Sequence, residues 1–207
     1  PHALAHNGFA ARRAASESCA KALGITFLRD ALPEDLTCAH HDEREAKEWR
    51  LELVDSSVNR SLTALEEREG PATFPRGWVR HAFHDMTLVG RASYLLKHAD
   101  ELGYRAFEEA GRIFTESFIS MRDELRVSRP EIDAAVEACL MHGALGARIV
   151  GGGFGGAVMA LVKTSRLEET AQAIAQAYAE HGYAEPRFLP MVAGFPADCD
   201  WLSENFR

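Results

Sequence analysis

The sequence predicts an α+β domain: a small antiparallel sheet with helices packed on one side, plus a helical insertion. Three observations predict it. Apolar residues recur at intervals of three and four through long stretches between Val79 and Leu140, the spacing of buried helix faces. That texture ends near Ala147, where two short apolar runs flank five glycines in six positions. A further helical period and a final apolar run follow, so the sheet comes late and the helices outnumber the strands.

Taken in order, Ala15, Cys19, Ala22 and Leu23 predict a helix from about Ala10 to Leu23, with Gly24 as its stop. Residues 31–41 read as loop. The charge-laced run from Asp42 to Glu69 carries Trp49, Leu53, Leu62 and Leu65 at helical intervals, and Gly70, Pro71, Pro75 and Gly77 break it. Val79, Ala82, Phe83, Met86, Val89 and Leu96 line the next helix. Phe107, Ala110, Phe114, Phe118 and Met121 line the one after. A capping box from Ser128 to Glu131 opens a third, with Ile132, Ala135, Val136, Cys139 and Leu140 on one side. Ala147 to Val150 then reads as a strand, Gly151 to Gly156 as a tight loop, and Ala157 to Val162 as a second strand. Another capping box, Ser165 to Glu168, starts a helix lined by Leu167, Ala171, Ile174 and Tyr178 and stopped by Gly182. Arg187 to Ala193 is expected to close as a strand.

The chain has 207 residues, 46% of them hydrophobic, enough for one compact domain with or without an appendage. A formal net charge of -8 without a basic cluster argues against a nucleic-acid partner. Cys19, Cys38, Cys139 and Cys199 show no CxxC spacing and read as free thiols of a reducing, cytoplasmic compartment. No apolar run approaches the roughly 20 residues of a membrane span, and no signal-peptide pattern opens the chain. The start at Pro1, running directly into His2-Ala3-Leu4-Ala5, predicts a piece of a longer protein.

The glycine stretch is the most informative. Gly151, Gly153 and Gly156 formally make GxGxxG, but a dinucleotide fold needs a helix after the loop and here a strand of Ala157 to Val162 follows. A glycine-rich hairpin with a structural role is the plain alternative. Cys38, His40, His41, Asp42 and Glu43 lack a second ligand pair at metal spacing and read as a solvated loop. His81 and His84 share a helix face and read as surface or half-buried histidines. A GxSxG nucleophile elbow is absent.

Four blocks in order carry a resemblance: His2-Ala-Leu-Ala-His-Asn-Gly-Phe-Ala-Ala-Arg-Arg13, Arg80-His81, Ser120-Met-Arg-Asp with Pro130-Glu-Ile-Asp133, and Leu145 to Val162 around the glycines. Together they resemble the C-terminal part of galactokinases, sugar kinases of the GHMP superfamily. The likeness runs from near Pro1 to about Val162, with 31–77 poorly matched. It implies that 1–207 is a GHMP-kinase C-terminal domain, whose N-terminal phosphate-loop domain lies outside this chain.

The resemblance further implies ATP-dependent phosphorylation of the anomeric hydroxyl of galactose, with Mg2+. In such kinases the catalytic aspartate, the Pro-x-x-x-Gly-Leu-Ser-Ser loop and most sugar ligands belong to the N-terminal half. None of these motifs occurs here, and Asp55-Ser56-Ser57 has no glycines before it. No catalytic residue and no metal ligand is therefore assigned on this chain, which is expected to be inactive alone. Gly151, Gly152, Gly153, Gly155 and Gly156 would form a wall beside the phosphate-transfer region. Phe9 stands where the family usually has a tyrosine touching the sugar; it keeps the ring and loses the hydroxyl, or serves simply as core. Val150 replaces a usual threonine and Ala157 a usual cysteine. The implied partners are galactose or a similar hexose, ATP and the protein's own N-terminal domain. A kinase of the superfamily for another hexose, or a non-catalytic sugar sensor or regulator, stays open.

Overall fold

A computed structural model describes residues 8–22, 26–28, 63, 67 and 76–191. The expectations for 31–62 and the Cys38–Glu43 cluster lie outside the described residues, as does the charge run from Asp42 to Glu69 apart from Thr63 and Glu67. The described elements are helices α1 (Gly8–Ala22), α2 (Arg76–Lys97), α3 (Ala99–Leu102), α4 (Tyr104–Asp123) and α5 (Pro130–Met141), strands β1 (Ala144–Val150) and β2 (Ala157–Val162), and helix α6 (Leu167–Glu180). The α+β class and the order of these elements agree with the expectation from sequence.

β1 and β2 pair antiparallel with Ala147 opposite Ala160 and Ile149 opposite Val158. Alternation puts Ala147, Ile149, Val158 and Ala160 on one face. That face closes over a core of Phe118 and Met121 from α4, Val127, and Ile132, Val136 and Cys139 from α5, with Ile174 of α6 packed behind. On the far face Val150 and Met159 stay exposed. Helices thus gather on one side of the sheet.

α4 meets β1 backbone to backbone. A methyl group on Gly146 would sit 1.7 Å from the Gly111 carbonyl oxygen, and one on Gly111 would sit 2.3 Å from the Leu145 oxygen. No side chain fits at either position. α2 lies across α4, burying Leu88 and Ala92 against Ile113.

Several faces are rotated from the expected ones. On α2 the buried stripe is Val79, Phe83, Leu88 and Ala92, whereas Val89 and Leu96 are exposed. On α4 Phe107 is exposed because the smaller Ala106, Ala110 and Gly111 take the side nearest β1. Leu140 and Leu167 are also exposed. Neither capping box forms. Pro130 takes the first helical position of α5, which moves the cap to Arg129, and Ser128 Oγ donates instead to Asp133 Oδ1 at 2.6 Å. A 3-10 turn, Thr164–Arg166, absorbs Ser165 and leaves Arg166 at the cap of α6. The expected closing strand is not formed over 187–191, where no described strand offers a ladder partner and Leu189 and Met191 stand exposed; 192 and 193 lie outside the described residues. No described helix is long and apolar enough to cross a membrane.

Candidate active-site loop and its clasp

The glycine stretch joins β1 to β2 as a hairpin, so a strand precedes it and a strand follows it. The loop takes a run of left-handed backbone angles, and one of them falls on a residue other than glycine: Phe154 sits at φ 60. A side chain there costs about 1 kcal/mol or more, so the surroundings must hold it.

They do so through the turn that follows α4. The Phe154 N–H donates to the Val127 carbonyl oxygen at 2.7 Å. Gly153, at φ 78, lies so close that a Cβ there would be 2.5 Å from Val127 Cβ. Val127 is itself buried. Its neighbour Arg126 also has a left-handed φ of 56, so the turn and the loop are two strained segments pressed together.

Arg12 of α1 fastens both. Its Nε donates to the Leu125 carbonyl at 2.6 Å and its Nη2 to the Arg126 carbonyl at 2.7 Å. The same guanidinium lies over the Trp78 ring at 4.6 Å and over the Phe154 ring at 4.8 Å. One planar cation therefore touches α1, α2, the turn and the glycine loop, a role that suits the rigid fork of arginine. Burial lowers its pKa. Arg13, next to it, pairs with Glu17 at 2.8 Å in the exposed pattern of a surface helix.

Behind the clasp, polar contacts tie α2 to α4 and β1. Arg80 Nε lies 2.7 Å from Glu124 Oε1. His81 is buried, contrary to the surface or half-buried place expected for it, and its Nδ1 lies 2.9 Å from Ser120 Oγ. Burial pushes the His81 pKa down. Asp85 accepts from Ser117 Oγ and faces Arg148 of β1 at 3.7 Å. His84 is half-buried as expected and lies 3.0 Å from Glu116, which holds that carboxyl below its usual range.

Of the residues singled out in the sequence, Gly151, Gly152, Gly153, Gly155 and Gly156 fall together on the hairpin. A Cβ on Gly151 would meet nothing within 4 Å among the described residues, and Gly152 is exposed, so the crest of the loop is open to close approach. Phe9 lies in the first turn of α1, one turn before Arg12, and its side chain lies outside the described residues. Arg12, Trp78, Val127 and Phe154 received no role from sequence. The paired arginines were visible, but a guanidinium bonded to backbone carbonyls leaves no mark on the residues that accept from it.

The family described as GHMP kinases C terminal matches residues 80–184. The chain belongs to the GHMP kinases. Among its relatives, the galactokinase of Streptomyces coelicolor is 32% identical over 191 residues, 92% of this chain and 41% of that protein. Human galactokinase is 33% identical over 178 residues, 86% of this chain and 37% of that one. This GHMP kinase chain thus spans about two fifths of the length of the curated relatives it matches. A solved structure, Lactococcus lactis galactokinase complexed with galactose, superposes with a TM-score of 0.62 at 24% identity. It covers 88% of this chain and 40% of that one, and it shows that the two share a fold.

Proposed function

We propose that the protein carrying this chain is a galactokinase, transferring a phosphoryl group from ATP to the anomeric hydroxyl of galactose. The observation that carries this reading is the similarity to galactokinases across about nine tenths of the chain. On this reading 1–207 is the C-terminal domain of the kinase, placed in the cytoplasm, and its glycine hairpin is one wall of the transfer site. The catalytic aspartate and most sugar and nucleotide contacts then belong to the part of the protein outside this chain.

The hairpin suits that place. ATP supplies the transferred phosphoryl group, and the open crest at Gly151 and Gly152 leaves backbone, not side chains, facing whatever approaches. Positioning dominates phosphoryl transfer, so a wall fixed by its own clasp is of use there. Magnesium would be held by one or two carboxylates together with the phosphates of ATP. On this reading those carboxylates fall to other parts of the protein.

The test is ATP-dependent formation of galactose 1-phosphate by the full-length protein, against a panel of hexoses. Preference for another sugar would transfer the reading to a different sugar kinase of the family, which Phe9 in place of a hydroxyl-bearing tyrosine favours. Binding of galactose and ATP without turnover would replace it with a sensor. On the galactokinase reading Phe9→Tyr should lower the galactose KM by roughly fivefold, the worth of about one hydrogen bond. The 207-residue chain alone should form no sugar phosphate; turnover by it would show that the active site has been misplaced.

A further inference from the structure

We propose that Arg12 is a positioning residue that sets the conformation of the glycine hairpin and couples it to helix α1. Contacts of different kinds converge on it: two backbone carbonyls of the turn after α4, the Trp78 ring, and the Phe154 ring at the centre of the loop. The turn it grips is also the acceptor of the Phe154 amide and the surface against which Gly153 is pressed. Releasing the guanidinium therefore frees the ring and the backbone partner of the loop together. Phe154 then has less to hold it at φ 60, an angle that its side chain disfavours.

The direction of coupling follows from where Arg12 stands. It lies one turn after Phe9 on α1, so the helix that carries the proposed sugar-side position also carries the clasp of the proposed phosphate-side loop. A shift of α1 along its axis moves the fork away from the Leu125 and Arg126 oxygens, and the loop relaxes with it. The bearing on turnover rests on the galactokinase reading; the control of loop conformation does not.

Hydrogen exchange of the full-length protein tests it, read by mass spectrometry with fragmentation fine enough to separate the hairpin from its strands. In Arg12→Ala the amides of 151–156 should exchange about tenfold faster or more, the equivalent of one hydrogen bond to a charged donor, with β1 and α5 unchanged. Arg12→Lys should behave almost as badly, because an ammonium keeps the charge and lacks the planar fork. Trp78→Leu, which leaves both carbonyl bonds in place, should loosen the loop less than Arg12→Ala does. Arg13→Ala, changing only the exposed pair with Glu17, should match the wild type. Unchanged loop exchange in Arg12→Lys, or an equal rise across all elements, overturns the proposal and leaves Arg12 as a general structural tie.

In the galactokinase assay Arg12→Ala and Arg12→Lys should lose about tenfold or more in kcat with both KM values within about twofold, since a displaced wall harms alignment of the transfer step, while Arg13→Ala should keep the wild-type kcat. A loosened loop with unchanged kcat would overturn its bearing on turnover. A wild-type protein that phosphorylates no galactose would sink the galactokinase reading, while the exchange comparison would still decide the role of Arg12.

Discussion

Among the described residues, two other than glycine, Arg126 and Phe154, hold left-handed backbone angles, and they lie on facing segments. Their side chains are differently employed. Phe154 stacks under Arg12, whereas Arg126 contributes its carbonyl and leaves its side chain exposed. Arg126→Gly should therefore relieve strain without losing a contact. A net gain of about 0.5 kcal/mol is expected once the added freedom of the unfolded chain is subtracted. In a domain of this size that raises the melting temperature by roughly 1–2 °C, measurable by calorimetry. The glycines of the loop should part company in the same experiment. Gly151→Ala meets open space and bears only the backbone penalty, about 1 kcal/mol. Gly153→Ala adds a clash with buried Val127 and should cost about 2–4 kcal/mol. Equal losses in calorimetry would show that Val127 gives way easily.

At the scale of elements, four of the five buried polar side chains among the described residues, His81, Thr87, Ser117 and Ser120, belong to α2 and α4. His81 and Ser120 meet between the two helices, and burial keeps the imidazole neutral below its ordinary titration range. As pH falls below about 6.5 the unfolded chain takes up this proton before the folded one does, so stability declines from there until the depressed folded value is passed. His81→Gln should lower stability at pH 7.5 and flatten its decline between pH 6.5 and 5, in denaturant melts run at several pH values. A decline as steep as in the wild type would place the pH dependence on other groups. The elements themselves were legible in the sequence wherever periodicity ran long, as in α2, α4 and α5. Their rotation was less so. Small residues such as Ala106 and Gly111 carry little hydrophobic signal, yet they decide which side of α4 lies closest to the strand. The capping boxes failed for a similar reason: Pro130 fixed the start of α5 more firmly than the Ser128 side chain could.

At the scale of the molecule, the candidate site divides into a part that sequence marks and a part that it hides. Five glycines between two apolar runs announce a hairpin. The clasp does not announce itself, because Arg12 acts on the Leu125 carbonyl 113 positions away and the acceptors are main-chain oxygens common to every residue. In the sequence Phe154 is one more loop residue, and only its left-handed backbone angle sets it apart. The expected strand from Arg187 to Ala193 shows the opposite failure over its described part, 187–191. Its apolar residues fit the pattern, but a strand needs another to accept its hydrogen bonds, and none does so among the described residues.

The contact between Gly111 and Gly146 fixes how the domain can move. A helix sliding past its neighbour by one turn travels about 5.4 Å, and its residues three or four places away then replace those at the crossing. For α4 these are Phe107, Glu108, Phe114 and Thr115, and none fits a gap too narrow for a methyl group. Helix and strand are thus bolted in a single register and travel as one body. The hairpin crest and α1 stand outside that contact, and the hold of α1 on the turn runs through the side chain of Arg12.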